Sequence, residues 1–600
     1  MSMYDLSNLL LSQIITEIED NVDIICLLLT CKKLYNNSSL KRSIQFKGVG
    51  EVINTEKGEV SQQFIATFSL FKLLSFKDIL KNSISDQQAI FPELDQKEYK
   101  LGFYLNKDDK SSRNITTALV HYLDVPTAIE SAYKIPSIET LFIDDEQSQV
   151  INLSSIQKFL PRLQRLSVSA GGLELGHCPS LKYLKLDTDT AFALADLALE
   201  KFESLTELSI SCYYVSSMGL FPSSLTSLTL GQIVIPPRDT FIALTSLVYL
   251  EIKLMLDMFE GAVMQSEINL SPLHKLETFK IKGDCFNQSI EITLPPSIKV
   301  LDLLVSCEQI PSKCKLLLLE KLNVSQSLLI EGGFSMASSP LLKDLVITNC
   351  HVIMPANLIP PSVQKLVIDK SSEEDILGQV VFPPSLTHLT IKGDYCESIQ
   401  HLPESLVKLN QVMTESVYSS LPIDHQLEKL NLLDIIGDFK IDISSPSIKY
   451  LSIPLNPITN TTSDIFSSYS ISSMITTLET ITNQPKQQWL PPNTTHLSCY
   501  LKNHAYEPLT FRLDEIVNHT NVRYLSLIFD NHTTLQFSIQ RLDSDNNNVL
   551  VLERQSLTGG IITQQQYDSI KFYFMGRSSI SFHFNWDFTS SSSSTPKVEQ

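Results

Sequence analysis

Pro-Pro-Ser-Leu-Thr-His-Leu-Thr-Ile at 383–391 decides the architecture of this chain. Leu389 and Ile391 alternate with His388, Thr390 and Lys392, as on a strand with one buried face, and Leu386 leads in from the same side. The two prolines make the opening extended and poor in N–H donors, which suits a segment arriving at the strand from outside its ladder. The phrase returns as Pro-Pro-Ser-Val-Gln-Lys-Leu-Val-Ile at 360–368, Pro-Pro-Ser-Ile-Lys-Val-Leu-Asp-Leu at 295–303 and Pro-Ser-Ser-Leu-Thr-Ser-Leu-Thr-Leu at 222–230. Shorter copies are Pro-Ser-Leu-Lys-Tyr-Leu-Lys-Leu at 179–186 and Pro-Ser-Ile-Lys-Tyr-Leu-Ser-Ile at 446–453.

The central aliphatic residue marks each copy. From Leu141 to Leu525 there are 18 markers, Phe279 and Leu478 among them, with a mean spacing of about 22.6 residues. Between Phe279 and Leu451 successive steps are 22, 21, 23, 21, 23, 20, 21 and 21 residues, a regularity foreign to an ordinary globular core. A chain of 600 residues exceeds what one compact core sustains, so its length records repeat number. Proline outnumbers glycine, 28 to 19, because prolines open the repeats while neither hairpins nor phosphate loops are being built.

A period of 20–29 with Leu-x-x-Leu-x-Leu resembles leucine-rich repeats. The resemblance implies an α/β repeat solenoid, a curved parallel β-sheet with irregular convex segments, forming one elongated recognition surface. The Pro-Pro-Ser opening and cadence also resemble FNIP-type repeats, abundant in social amoebae (dictyostelids), over about 136–530. A right-handed parallel β-helix has rungs of similar length, but each rung needs two or three strand segments and this repeat shows one.

Residues 6–45 follow a different rule. Leu9, Leu10, Ile14, Ile15 and Ile18 recur at helical spacing, a second apolar helix spans 22–30 with Asp20 or Asn21 as N-cap, and a third short helix includes Cys31-Lys-Lys-Leu-Tyr. Three short helices cannot bury their own apolar surface. Leu-Ser-Asn-Leu-Leu-Leu-Ser-Gln-Ile-Ile-Thr-Glu-Ile at 6–18 with Thr-Cys-Lys-Lys-Leu-Tyr-Asn-Asn at 30–37 resembles an F-box, with Ser7 in the family's Pro place, Thr30 in its Val place and Leu34 in its Trp place. The resemblance implies a small all-α module that docks a Skp-type adaptor and, through it, a cullin, with Leu6, Leu10, Ile14, Ile18, Cys31 and Leu34 facing the adaptor or holding the helices together. A bland alternative is a helical cap for the solenoid.

The expected organisation is therefore 1–45 F-box-like module, 46–135 linker and N-terminal cap, 136–530 repeat solenoid, 531–588 C-terminal β cap and 589–600 disordered tail. Within the linker, 62–82 and 116–123 have helical patterns, and 106–113 is a polar break.

Charge and chemistry narrow the function. Lys plus Arg number 47 against 66 Asp plus Glu, a net charge of −19 that disfavours nucleic acid as a partner. No apolar run is long enough for a membrane span. The ten cysteines are dispersed without a Cys-x-x-Cys pair and read as reduced core thiols. Phosphate loops, zinc-protease helices and nucleophile elbows are missing from the sequence, so neither a cofactor, a metal nor an enzyme activity is expected. On strand-outward positions stand Lys280, Lys282, Lys321, Lys365, His388, Lys392, Lys408 and Lys429, which form the expected client-binding concave face. The reading that results is a non-catalytic substrate receptor of a cullin-RING ubiquitin ligase, working in the cytoplasm or nucleus. Its alternative is a protein-interaction scaffold with no ligase association.

Overall fold

The computed structural model describes residues 6–71, 73–91, 114–121, 125–145, 150–187, 197–211, 220–232, 236–254, 266–283, 290–304, 315–330, 339–371, 377, 380–393, 402–411, 427–432, 447–455, 457, 467–474, 488–501, 509–529, 534–563, 569–576 and 582–589. The polar break at 106–113, the marker Leu478 and the tail from 590 lie outside these residues.

Each copy of the repeat supplies one short strand, and neighbouring strands pair in parallel with their markers in register. Leu345 pairs with Leu366, then Leu389, Leu409, Leu430 and Leu451 follow across the sheet. All of them are buried. The expected α/β repeat solenoid preceded by a small helical module is the fold observed.

The conformation of the opening explains its composition. In Pro-Pro-Ser-Leu at 383–386 the Leu386 N–H donates to the Pro383 carbonyl at 3.0 Å, closing a turn with Pro384 at the position where a fixed φ is favoured. The same bond joins Val363 to Pro360 and Leu406 to Pro403. The serine then points at the previous repeat. Ser385 Oγ donates to Val363 O at 2.6 Å, Ser405 Oγ to Leu386 O at 2.7 Å, Ser297 Oγ to Leu276 O at 2.7 Å and Ser224 Oγ to Leu205 O at 2.7 Å. Ser137, Ser180, Ser447 and Thr494 make the equivalent bond. This hydroxyl ladder satisfies a carbonyl that the strand ladder leaves free.

The parallel sheet starts earlier than the repeat phrase does. Gln88–Phe91 and Thr117–His121 pair in parallel with each other, and the second pairs with Thr140–Asp144. The helix expected at 116–123 is thus a strand. Ala118 and Val120 enter the solenoid core while Leu119 enters a second core on the opposite face, and burial on both faces gives the unbroken apolar run. A second difference concerns Leu478. Leu451 pairs directly with Leu497, so no rung stands between them, and the intervening chain contributes Ser467–Tyr469 to a separate four-stranded sheet with Leu509–Arg512, Ser569–Gly576 and Phe582–Thr589.

Beyond Tyr524–Phe529 the chain continues antiparallel through Thr534–Arg541, Asn548–Glu553 and Gly559–Thr563. The 22 main-sheet strands run from Gln88–Phe91 to Gly559–Thr563, and both ends of this sheet pack on the helical module, so the elongated surface expected from the repeats is closed on itself through that module.

Helices α1 (Asn8–Glu17), α2 (Asn21–Leu29), α3 (Lys32–Tyr35), α4 (Ser38–Ser43), α5 (Gln62–Leu70) and α6 (Lys77–Asn82) precede the sheet. Ser7, Asp20, Cys31, Asn37 and Ser61 cap the first five through side-chain acceptors, which is why the chain breaks where it does. Their shared core includes Ile90, Leu119 and Phe142 from the first strands together with Leu550, Leu552 and Leu557 from the last. The helical module therefore bridges the two ends of the array. A glycine is needed at this junction: Gly58 has φ +76°, and a Cβ there would lie 2.5 Å from Phe142 Cδ1.

Candidate interaction surfaces

Two surfaces carry the residues singled out in the sequence. The first is α1. Leu11 and Ile15 face the module core, while Leu9, Leu10 and Ile14 are 70%, 44% and 42% exposed. Leu6 and Ile18 are half-buried against the same core. Leu34 is buried, and Cys31 caps α3 by accepting the Leu34 N–H at 3.4 Å. Of the six expected adaptor residues, Leu10 and Ile14 thus share an outward apolar face, Leu34 is buried and Cys31 is half-buried. Leu9, which belongs to the helical spacing pattern but not to the six expected adaptor residues, is the most exposed member of that face.

The inner side of the module holds it to the far end of the chain. Asp20 caps α2, receives a hydrogen bond from Ser538 Oγ at 3.3 Å and pairs with Arg554 at 3.5 Å. Asp23 accepts from Gln540 Nε2 at 2.9 Å, and the Thr67 hydroxyl donates to the Gln555 carbonyl. Burial, followed by the neighbouring Asp20 charge, raises the Asp23 pKa above its ordinary value.

The second surface is the concave face of the sheet. The residues just before the markers align across consecutive strands as Lys321, Asp344, Lys365, His388, Lys408, Lys429, Tyr450, His496 and Tyr524. The expected lysines do not form one uniform stripe. Lys280 stands on the position after its marker, near the Tyr249 ring at 5.4 Å, and Lys282 pairs with Glu251 at 3.5 Å and Asp302 at 3.9 Å. Lys321 and Lys365 share Asp344 at 3.3 and 3.7 Å. Lys392, Lys408 and Lys429 are exposed and have no ion pair among the described residues.

The surplus cation is felt by His388. Partial burial, then Lys408 and Lys365, hold its pKa below the ordinary value, with Asp344 opposing and Lys429 adding to the effect. The Thr387 hydroxyl contacts His388 Nδ1 at 2.8 Å and donates to Gln364 O at 3.0 Å, leaving Nε2 as the ring atom free to gain a proton.

Next to Lys429 the row becomes aromatic. Tyr450 and His496 have ring centroids 4.3 Å apart, His496 and Tyr524 4.6 Å apart. Arg554 lies 5.4 Å from the Tyr524 ring centre, so the row ends where the helical module is attached. The signal for this stack was the recurrence of an aromatic residue directly before the markers Leu451, Leu497 and Leu525.

Among the described residues, no cluster of three or more His, Cys, Asp or Glu is arranged to hold a metal ion. No described helix is long and apolar enough to cross a membrane.

No protein-family model matches the chain, and no curated protein matches it. Among solved structures, the circular leucine-rich-repeat protein CroV588 is 19% identical, with 66% of this chain and 56% of that chain covered and a TM-score of 0.36. The match therefore spans little more than half of that protein. The Toll–Spätzle complex of Drosophila gives 13% identity, coverage of 78% and 74%, and a TM-score of 0.35. YopM from Yersinia enterocolitica gives 18%, 62%, 88% and 0.25.

Proposed function

We propose that this protein is a non-catalytic substrate receptor of a cullin-RING ubiquitin ligase, in which the outer face of α1 docks a Skp-type adaptor and the concave face of the ring holds a client protein. A leucine-rich-repeat solenoid is suited to protein–protein interaction because it offers a broad surface of side chains on a rigid sheet. The observation that carries the finer reading is the exposed Leu9–Leu10–Ile14 face, which the module's own core leaves uncovered. Adaptor and client would then be held by one body, and ubiquitin transfer would follow from proximity supplied by the partners. The working compartment on this reading is the cytoplasm or nucleus.

The scaffold reading without ligase association is favoured by one specific observation: the module also bridges both ends of the sheet, which is sufficient reason for its helices to exist. The two readings separate by substitution of exposed residues only, because deleting 1–45 would remove part of the junction core. Leu9→Asp, Leu10→Asp and Ile14→Asp together should leave folding intact and abolish retention of adaptor and cullin in a pull-down. Retention by neither the parent nor the variant would leave the scaffold reading standing.

A further inference from the structure

We propose that the concave row from Lys365 to Tyr524 recognises a bipartite linear peptide, an acidic stretch followed by an aromatic anchor, about nine residues long. This rests on the reading of the concave face as the client site and specifies the chemistry of the client.

The length follows from geometry. Lys365, His388, Lys408, Lys429, Tyr450, His496 and Tyr524 occupy seven consecutive strands. Six inter-strand gaps of about 4.8 Å span about 29 Å, and an extended chain covers that distance in about nine residues.

The order follows from the residues. The first four strands present Lys365, His388, Lys408 and Lys429, and Lys408 and Lys429 have no counter-charge among the described residues. On a chain of net charge −19 this is a local excess of cation, complementary to carboxylates. Within the row the neighbouring carboxylate, Asp344, is already shared by Lys321 and Lys365. The last three strands present stacked rings instead, with Tyr450 41% exposed, so the same ligand meets an apolar and aromatic surface after its acidic part. Rings stacked beside lysines also suit a single-stranded nucleic acid, but the acidic chain repels a phosphate backbone outside the row, and the cationic half spans only four strands.

The test uses the full chain and a fluorescent nonapeptide carrying four acidic residues, a three-residue spacer and two tyrosines. Binding is expected, and Lys408→Glu with Lys429→Glu should weaken it at least about tenfold and flatten its dependence on salt. Tyr450→Ala should weaken binding about three- to tenfold while the salt dependence is kept. The His388 ring, followed by NMR, should titrate at higher pH in the bound state, since a carboxylate beside Lys365, Lys408 and Lys429 offsets their repulsion. The proposal is overturned if the aromatic-free peptide binds equally well, if the charge reversals change nothing, or if an oligouridylate binds in place of the peptide. Because no adaptor is present, failure here leaves the ligase reading untouched, and failure of the adaptor pull-down leaves this one untouched.

Discussion

Thr140–Asp144 and Lys365–Lys370 are strands of one sheet, with Leu141 and Leu366 at the same marker position, yet their concave sides differ. Phe142 follows its marker and is buried under the helical module; Val367 follows its marker and is half-exposed in the middle of the array. Asn548–Glu553 repeats the first situation, with Val549 and Val551 in the solenoid core and Leu550 and Leu552 in the module core. The array thus has two kinds of strand: those at the junction, apolar on both faces, and those in the middle, whose free face carries lysine and aromatic side chains.

The largest effect should come from truncation at the junction. Phe142→Ala is expected to cost about 3–5 kcal/mol in chemical denaturation, whereas Val367→Ala at the equivalent place should cost less than about 1 kcal/mol. Equal costs would mean that the two strand types are not energetically distinct. A smaller effect, about 1 kcal/mol, is expected for Ser385→Ala, which orphans the Val363 carbonyl. At Leu318 the array has an exposed leucine in the serine's place, and Leu318→Ala should fall within about 0.5 kcal/mol of the parent.

The smallest effect concerns pH at the junction. The folded-state pKa of Asp23 is raised, so the folded chain binds its proton more tightly than the unfolded chain does. Stability contributed by this group is therefore present below the unfolded value of 3.8 and lost as pH rises through the folded value. Asp23→Asn keeps an acceptor for Gln540 and should make the protein more stable than the parent above that window, with the advantage vanishing at lower pH. His388 has the opposite dependence: a depressed folded pKa means that stability is lost as pH falls through the ordinary histidine value and below. His388→Gln should reduce that acid sensitivity, which thermal unfolding at several pH values would measure.

Much of the middle was legible in the sequence because one phrase recurs there with alternating aliphatic and polar residues. Leu386, Leu389 and Ile391 are buried, and His388 and Lys392 stand on the other face, as the pattern requires. The ends were less legible for a physical reason. Once the concave face is covered, the alternation that identifies a repeat disappears, and Thr-Ala-Leu-Val at 117–120 reads as a helix while Val-Leu-Val-Leu at 549–552 reads as a separate cap. Closure itself is a contact between residues some 500 positions apart, such as Asp20 with Arg554, and no local pattern encodes it. At the candidate site the lysines were visible one by one, but their neutralisation by Glu251, Asp302 and Asp344 depends on which strands lie side by side.

The helical module joins the first and last strands into a ring, and a spin-label distance between Glu56 and Ile561 reports on that closure. Glu56 lies in the turn that sits on Phe142, and Ile561 is exposed on the last main-sheet strand. With labels introduced by unnatural amino acids, a closed ring predicts one narrow distance of about 20 Å, a few strand spacings. A broad distribution centred beyond about 50 Å, as for an open array carrying its module on one end alone, would contradict the account.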